Sequence, residues 1–156
     1  MLSTEPPLPG SIDHAVRMFV FEHAAATGVV PQIVDIARTL DRPAEHILGA
    51  LHRLAAAKAL ILAPNSSEIW AANPFCAVPS GFRVEANRKR YWGICIWDAL
   101  GIIAALNASD ASIHATCGDC GEPLHLEFRG GELDRAEGVI HFGVPARDWW
   151  KNIGFA

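Results

Sequence analysis

Residues 11–28 place Ile12, Ala15, Val16, Phe19, Val20 and His23 on one face at a spacing of about 3.6 residues, which predicts an amphipathic helix. Ser11 is its expected cap and Gly28 its stop. Pro31 opens a second, shorter helical stretch over residues 32–40. Asp41 is expected to cap a third, with Pro43 in its first turn. Its apolar stripe is Ile47, Leu48, Leu51, Leu54 and Ala55, and it is expected to run to about Leu60. Two short strands follow, residues 60–63 and 69–72, joined by the turn Pro64-Asn65-Ser66-Ser67. Three helices and a hairpin in this order predict a winged-helix-like lobe over residues 11–80, behind a flexible lead at residues 1–10.

The pattern changes after residue 80. Residues 73–80 read as a loop and 81–86 as a short strand. Residues 91–106 are apolar nearly all round and predict a buried helix, with the basic run Asn87-Arg88-Lys89-Arg90 as its solvated entry or as an anion- or partner-binding patch. Residues 111–116 and 123–129 read as strands around Cys117-Gly118-Asp119-Cys120-Gly121. In the second of these, Leu124, Leu126 and Phe128 alternate with His125, Glu127 and Arg129, the period-2 pattern of a half-buried strand. Gly130-Gly131 turns the chain, residues 138–144 read as a further strand, and residues 145–150 as a helical turn. The expected fold class is α+β: an N-terminal three-helix winged-helix-like lobe, then a small mixed or antiparallel sheet packed on a buried helix, with residues 81–156 forming the binding or catalytic lobe.

Composition narrows the function classes. The 156 residues are 51% hydrophobic and 19% charged, which excludes a disordered chain. Net charge is −4, and residues 1–80 hold 5 Lys and Arg against 7 Asp and Glu. DNA recognition through Arg42, His46, His52 and Arg53 of the third helix would need phosphate contacts that this balance does not supply, so DNA is not the expected partner. The N-terminus lacks a basic region followed by an apolar one. The apolar run at residues 91–106 contains Asp98 and is shorter than the roughly 20 residues of a membrane span. A soluble cytoplasmic protein with no membrane partner is expected. Its four cysteines then read as thiols for metal or catalysis rather than as a disulfide frame. No Gly-rich phosphate loop, serine nucleophile elbow or HExxH motif is present.

Two constellations could carry chemistry. In Cys95-Ile96-Trp97-Asp98 a helix would bring the thiol and the carboxyl side by side, among Tyr91, Trp92, Trp97 and Ile102. Burial there raises a carboxyl pKa, and an acid kept protonated can deliver a proton. A thiolate beside it binds a thiophilic metal. The competing structural reading makes Cys95 a small core residue and Asp98 the cap of a helix starting at Ala99. The second constellation is the C-x-x-C turn at Cys117 and Cys120, which lets two sulfurs converge on one ion. His114 and His125 flank it and would complete a Zn2+ shell only by pointing inward; strand alternation turns them outward instead, which leaves reduced, unmetallated thiols as the competing reading. His141 reads as a sheet histidine, Trp149 and Trp150 as the lid of a core, and Cys76 as part of a loop able to close over a pocket.

The run Tyr91-Trp92-Gly93-Ile94-Cys95-Ile96-Trp97-Asp98-Ala99-Leu100, preceded by Asn73-Pro74-Phe75 and Val78-Pro79 and followed by Cys117-Gly118 and Pro123-Leu124, resembles the alkylmercury (organomercurial) lyase family. The likeness runs from about Val16 to Phe155. It implies protonolysis of a carbon–mercury bond in an organomercurial substrate, with Hg2+ as bound product, small thiols as acceptors and no organic cofactor. By position, Cys95 matches the family's first thiol and Asp98 its proton donor, while Cys117 matches a cysteine usually thought structural. The family's second catalytic thiol falls in an apolar segment matching residues 152–156, where Ala156 stands at or just before the cysteine position. The second thiol is therefore expected from Cys120 or Cys117, with Cys76 as the other source, so that the metal-binding set is Cys95, Cys117 and Cys120. The alternatives are a soft-metal-binding or regulatory protein without turnover, and a relative that transforms another small molecule.

Overall fold

The computed structural model describes residues 8–135 and 139–153. Helix α1 (Ile12–Thr27) starts at Ser11, whose hydroxyl accepts from the His14 amide, and ends on Gly28 in the left-handed region at φ 80°. A Cβ at Gly28 would run into the Arg90 carbonyl oxygen, so the residue both stops the helix and lets another segment pass. Helix α2 (Ile33–Leu40) is closed by Asp41 at φ 50°. Asp41 was expected to open α3 (Ala44–Ala56); Pro43 does so instead, because Asp41 is already committed to the left-handed stop of α2. Helix α3 ends four residues short of Leu60. Lys58 turns to φ 60°, and the Lys58 and Ala59 amides donate to Ala55 and Leu54, a Schellman stop.

Strands β1 (Ile61–Leu62), β2 (Ile69–Ala72) and β3 (Phe75–Cys76) form a small antiparallel sheet. The third strand falls inside the segment expected as a loop, and Phe75 and Cys76 are both buried. The second sheet has five antiparallel strands in the order β5-β4-β6-β7-β8: β4 (Phe82–Ala86), β5 (Lys89–Gly93), β6 (Ala111–Thr116), β7 (Pro123–Arg129) and β8 (Glu132–Arg135). Helix α4 (Ile96–Leu106) packs across β4, β5 and β6.

The expected helix over residues 91–106 is therefore a strand, a two-residue link and a helix. Asn87 and Arg88 both take positive φ, the signature of a two-residue hairpin turn, and this sends Lys89-Arg90 up a strand rather than into a helix. An uninterrupted apolar run does not distinguish a buried strand from a buried helix. Strand β8, formed through Gly130 and Gly131 at φ 61° and 84°, was not expected. The strand expected at residues 138–144 is absent from residues 139–144, and Gly138 lies outside the described residues. There Phe142 packs on Trp97 and Trp149, and the Val144 carbonyl accepts from the Trp149 indole rather than from a ladder. The helical turn expected next is a 3-10 helix, Ala146–Lys151.

One buried cluster joins the helical segment to the larger sheet. It includes Val16, Ile36, Leu51 and Leu54 together with Val84, Tyr91, Ile102 and Ile113. Phe75 sits between Phe21 and Tyr91 at ring distances of 5.4 and 5.9 Å, and the Tyr91 hydroxyl donates to the Ala25 carbonyl at 2.9 Å. No helix among the described residues is long and apolar enough to cross a membrane.

Candidate functional site

Strand β5 delivers the chain into α4 through Gly93, and the closeness of that passage shapes the site. A Cβ on Gly93 would stand 2.8 Å from the Ala99 nitrogen and 3.1 Å from both the Asp98 Cβ and the Cys95 carbonyl oxygen. The Ser80 hydroxyl donates to the Gly93 carbonyl at 2.5 Å and fixes the strand end. Cys95 is extended, at φ −139° and ψ 178°, and occupies the cap position of α4; its carbonyl accepts from the Ala99 amide at 3.0 Å. Asp98 lies in the first helical turn, so the reading with Asp98 as cap before Ala99 does not hold.

The cap geometry nevertheless brings the expected pair together. The Cys95 thiol faces the Asp98 carboxylate, with Sγ and Oδ2 3.6 Å apart. Asp98 is only 9% exposed. Burial pushes its carboxyl above the usual carboxylate range; the Cys95 thiol, the Ile94 and Cys95 amides and the Asn73 side chain oppose the shift without cancelling it. The Asn73 amide donates to Oδ1 at 3.4 Å. The Cys95 thiol is itself pushed up, chiefly by burial, against the pull of the Asp98 and Trp97 amides. Both shifts are toward the neutral, protonated form. Tyr91 and Ile102, expected around this pair, are buried, but Trp97 is 60% exposed and meets Phe142 edge-on at 6.4 Å.

Cys76 lies buried on β3. Burial raises its thiol first, and the Asp98 charge adds to the shift, so one carboxylate acts on two thiols. Asn73 was not anticipated as a partner of Asp98. No spacing links residues 25 positions apart; only the turn between β2 and β3 brings the amide there.

Cys117 and Cys120 sit together in a tight turn between β6 and β7, held by the Gly121 amide on the Cys117 carbonyl at 3.0 Å and the Cys117 amide on the Glu122 carbonyl at 2.8 Å. Cys120 is exposed. The Cys117 thiol is lowered, first by the Cys120 amide, then by the Asp119 amide and the Cys120 thiol. Phe82 pairs with Gly93 on one side and Ala115 on the other, so Cys95 and Cys117 follow the same end of the sheet on strands separated by β4. At that end β5 and β6 are about 10 Å apart, two strand spacings.

The four-ligand Zn2+ shell is not assembled. His114 and His125 pair with each other, ring centroids 4.5 Å apart, and their Nε2 atoms contact Ser112 and Glu127, on the side of the ladder away from the cysteine turn. Among the described residues no three His, Cys, Asp or Glu side chains stand where they could hold one metal ion. His141 takes no strand position.

A solved structure described as "Crystal structure of the mercury-bound form of MerB2" shares this fold, with a TM-score of 0.63 at 20% sequence identity. The alignment covers 82% of this chain and 60% of that chain, so this chain spans less than two thirds of its solved neighbour. No curated protein matches. The family model "MerB: Alkylmercury lyase" matches residues 75–155, just over half of the chain and the whole stretch from Cys76 through Cys95, Asp98, Cys117 and Cys120. The chain belongs to the alkylmercury lyase family.

Proposed function

We propose that this protein cleaves carbon–mercury bonds, with Cys95 as the capturing thiol and Asp98 as the proton carrier. The observation that supports this reading is the 3.6 Å contact between a half-buried thiol and a buried carboxyl held above its ordinary pKa. An organomercurial R–Hg–X loses X as HX when the Cys95 sulfur bonds to mercury, the thiol proton leaving with X−. Asp98 in its protonated form then gives its own proton to the carbon as the carbon–mercury bond breaks, R–H leaves, and the Asp98 carboxylate regains a proton from solvent. A second thiolate weakens the bond to carbon by adding electron density at the metal. We assign that part to Cys76, the other thiol on which Asp98 acts. Cys117 and Cys120, expected as metal ligands with Cys95, then draw off the Hg2+ product, since the Cys117 thiol is shifted toward its thiolate and Cys120 is exposed to small thiols. The residues themselves call for no organic cofactor.

The direct test follows hydrocarbon release from an arylmercurial incubated with the protein and excess small thiol. Release that is lost in Asp98→Asn supports the assignment. Mercury binding with no hydrocarbon from the wild type would instead favour a soft-metal-binding protein on the same scaffold, and activity on a non-metallic small molecule without mercury affinity would favour a diverged enzyme.

A further inference from the structure

The solvent face of the larger sheet carries two histidines that the mercury chemistry does not use. His114 on β6 and His125 on β7 are direct register partners. Side chains so placed have Cβ atoms about 5 Å apart on one face. Their ring centroids are 4.5 Å apart with the planes tilted by 46°. The His114 Nε2 lies 3.4 Å from the Ser112 hydroxyl and the His125 Nε2 3.1 Å from a Glu127 carboxylate oxygen. Ser112 and Glu127 are themselves register partners two residues along the same ladder. The two Nε2 atoms therefore face one small block of the sheet, half open to solvent, with a carboxylate beside it.

We propose that His114 and His125 form a two-imidazole chelate for a borderline divalent transition-metal ion. Neutral imidazole is the preferred side-chain donor for Ni2+, Cu2+ and Zn2+, whereas Hg2+ is drawn to thiolates. Since no three donors already converge, the chelate uses two protein nitrogens and completes its shell with water. Glu127 adds a negative charge at the rim, shared with Arg129 at 2.8 Å. The inference is independent of carbon–mercury cleavage.

The probe is Ni2+ alone, titrated calorimetrically into the full chain with Cys117→Ser and Cys120→Ser, or with its thiols alkylated should that variant fold poorly. One ion is expected to bind. His114→Ala and His125→Ala are each expected to weaken binding about tenfold or more, because the second imidazole no longer acts at high effective concentration. His52→Ala, on an exposed histidine elsewhere, leaves binding unchanged. Equal Ni2+ affinity after removal of both His114 and His125, or affinity in the parent no better than in either single variant, overturns the proposal.

Discussion

The Cys95 thiol and the Asp98 carboxylate meet across 3.6 Å because one caps the start of α4 and the other follows three positions later inside it. In a capping box, the cap side chain reaches the amide of the third helical residue, whose side chain reaches back to the amide of the cap. Here that local arrangement carries a thiol and a buried acid rather than a hydroxyl and an exposed glutamate.

Asp98→Asn is expected to reduce hydrocarbon release from an arylmercurial by about 100-fold or more, the scale of a lost general acid. Mercury capture by Cys95, read as retention of the organomercurial on the protein, persists.

The same carboxyl sets a pH dependence of stability. Its folded-state pKa is raised by burial, so the folded state holds the proton more tightly than the unfolded chain. Its stabilising contribution is complete below the ordinary carboxylate pKa and is lost as pH rises through the raised value. Thermal melts from pH 4 to 8 should show this component flattened in Asp98→Asn, with the variant's Tm above that of the wild type at the alkaline end.

Gly93→Ala is expected to cost about 1–3 kcal/mol, the range for a methyl forced into a filled space. The added Cβ meets the Ala99 nitrogen and the Asp98 Cβ, so it also displaces Asp98 from Cys95. Urea unfolding measures the first effect and loss of hydrocarbon release in the still-folded fraction measures the second.

Cys76→Ser and Cys120→Ser separate the roles of the remaining thiols. The first is expected to slow cleavage in a single turnover. The second leaves the single turnover intact and slows transfer of Hg2+ to small thiols. The reverse pattern would place the second donor in the turn between β6 and β7.

Tyr91→Phe removes the hydroxyl that donates to Ala25. The expected loss is about 1 kcal/mol, with the Ala25 carbonyl left short of a partner, and is readable as a lower urea midpoint at unchanged slope.

Much of this architecture was written in local signals. Ser11 and Gly28 bracket α1 because a cap hydroxyl and a left-handed stop act within a few residues. The alternation from Pro123 to Arg129 set β7. The Cys95–Asp98 pair was legible because its partners are three residues apart, though the helix that holds Asp98 begins at Ile96 rather than at Tyr91. Residues 91–93 join a strand through a hairpin turn at Asn87-Arg88, dipeptide chemistry weaker than Asn-Gly. Asn73 against Asp98, and the shared influence of Asp98 on Cys76, arise from tertiary packing that no spacing encodes. The histidines flanking the C-x-x-C turn were expected to face outward rather than toward the cysteines. On the ladder they also face each other, because register rather than sequence distance decides which rings meet.

Tyr91 and Phe75 wedge the helical half against the sheet. A fragment begun at residue 75, where the family match starts, would carry the four cysteines but strip Phe75 and Tyr91 of their Phe21 and Ala25 partners. Such a piece, expressed alone, should clump: the helices of residues 12–56 are the other wall against which those two rings lean.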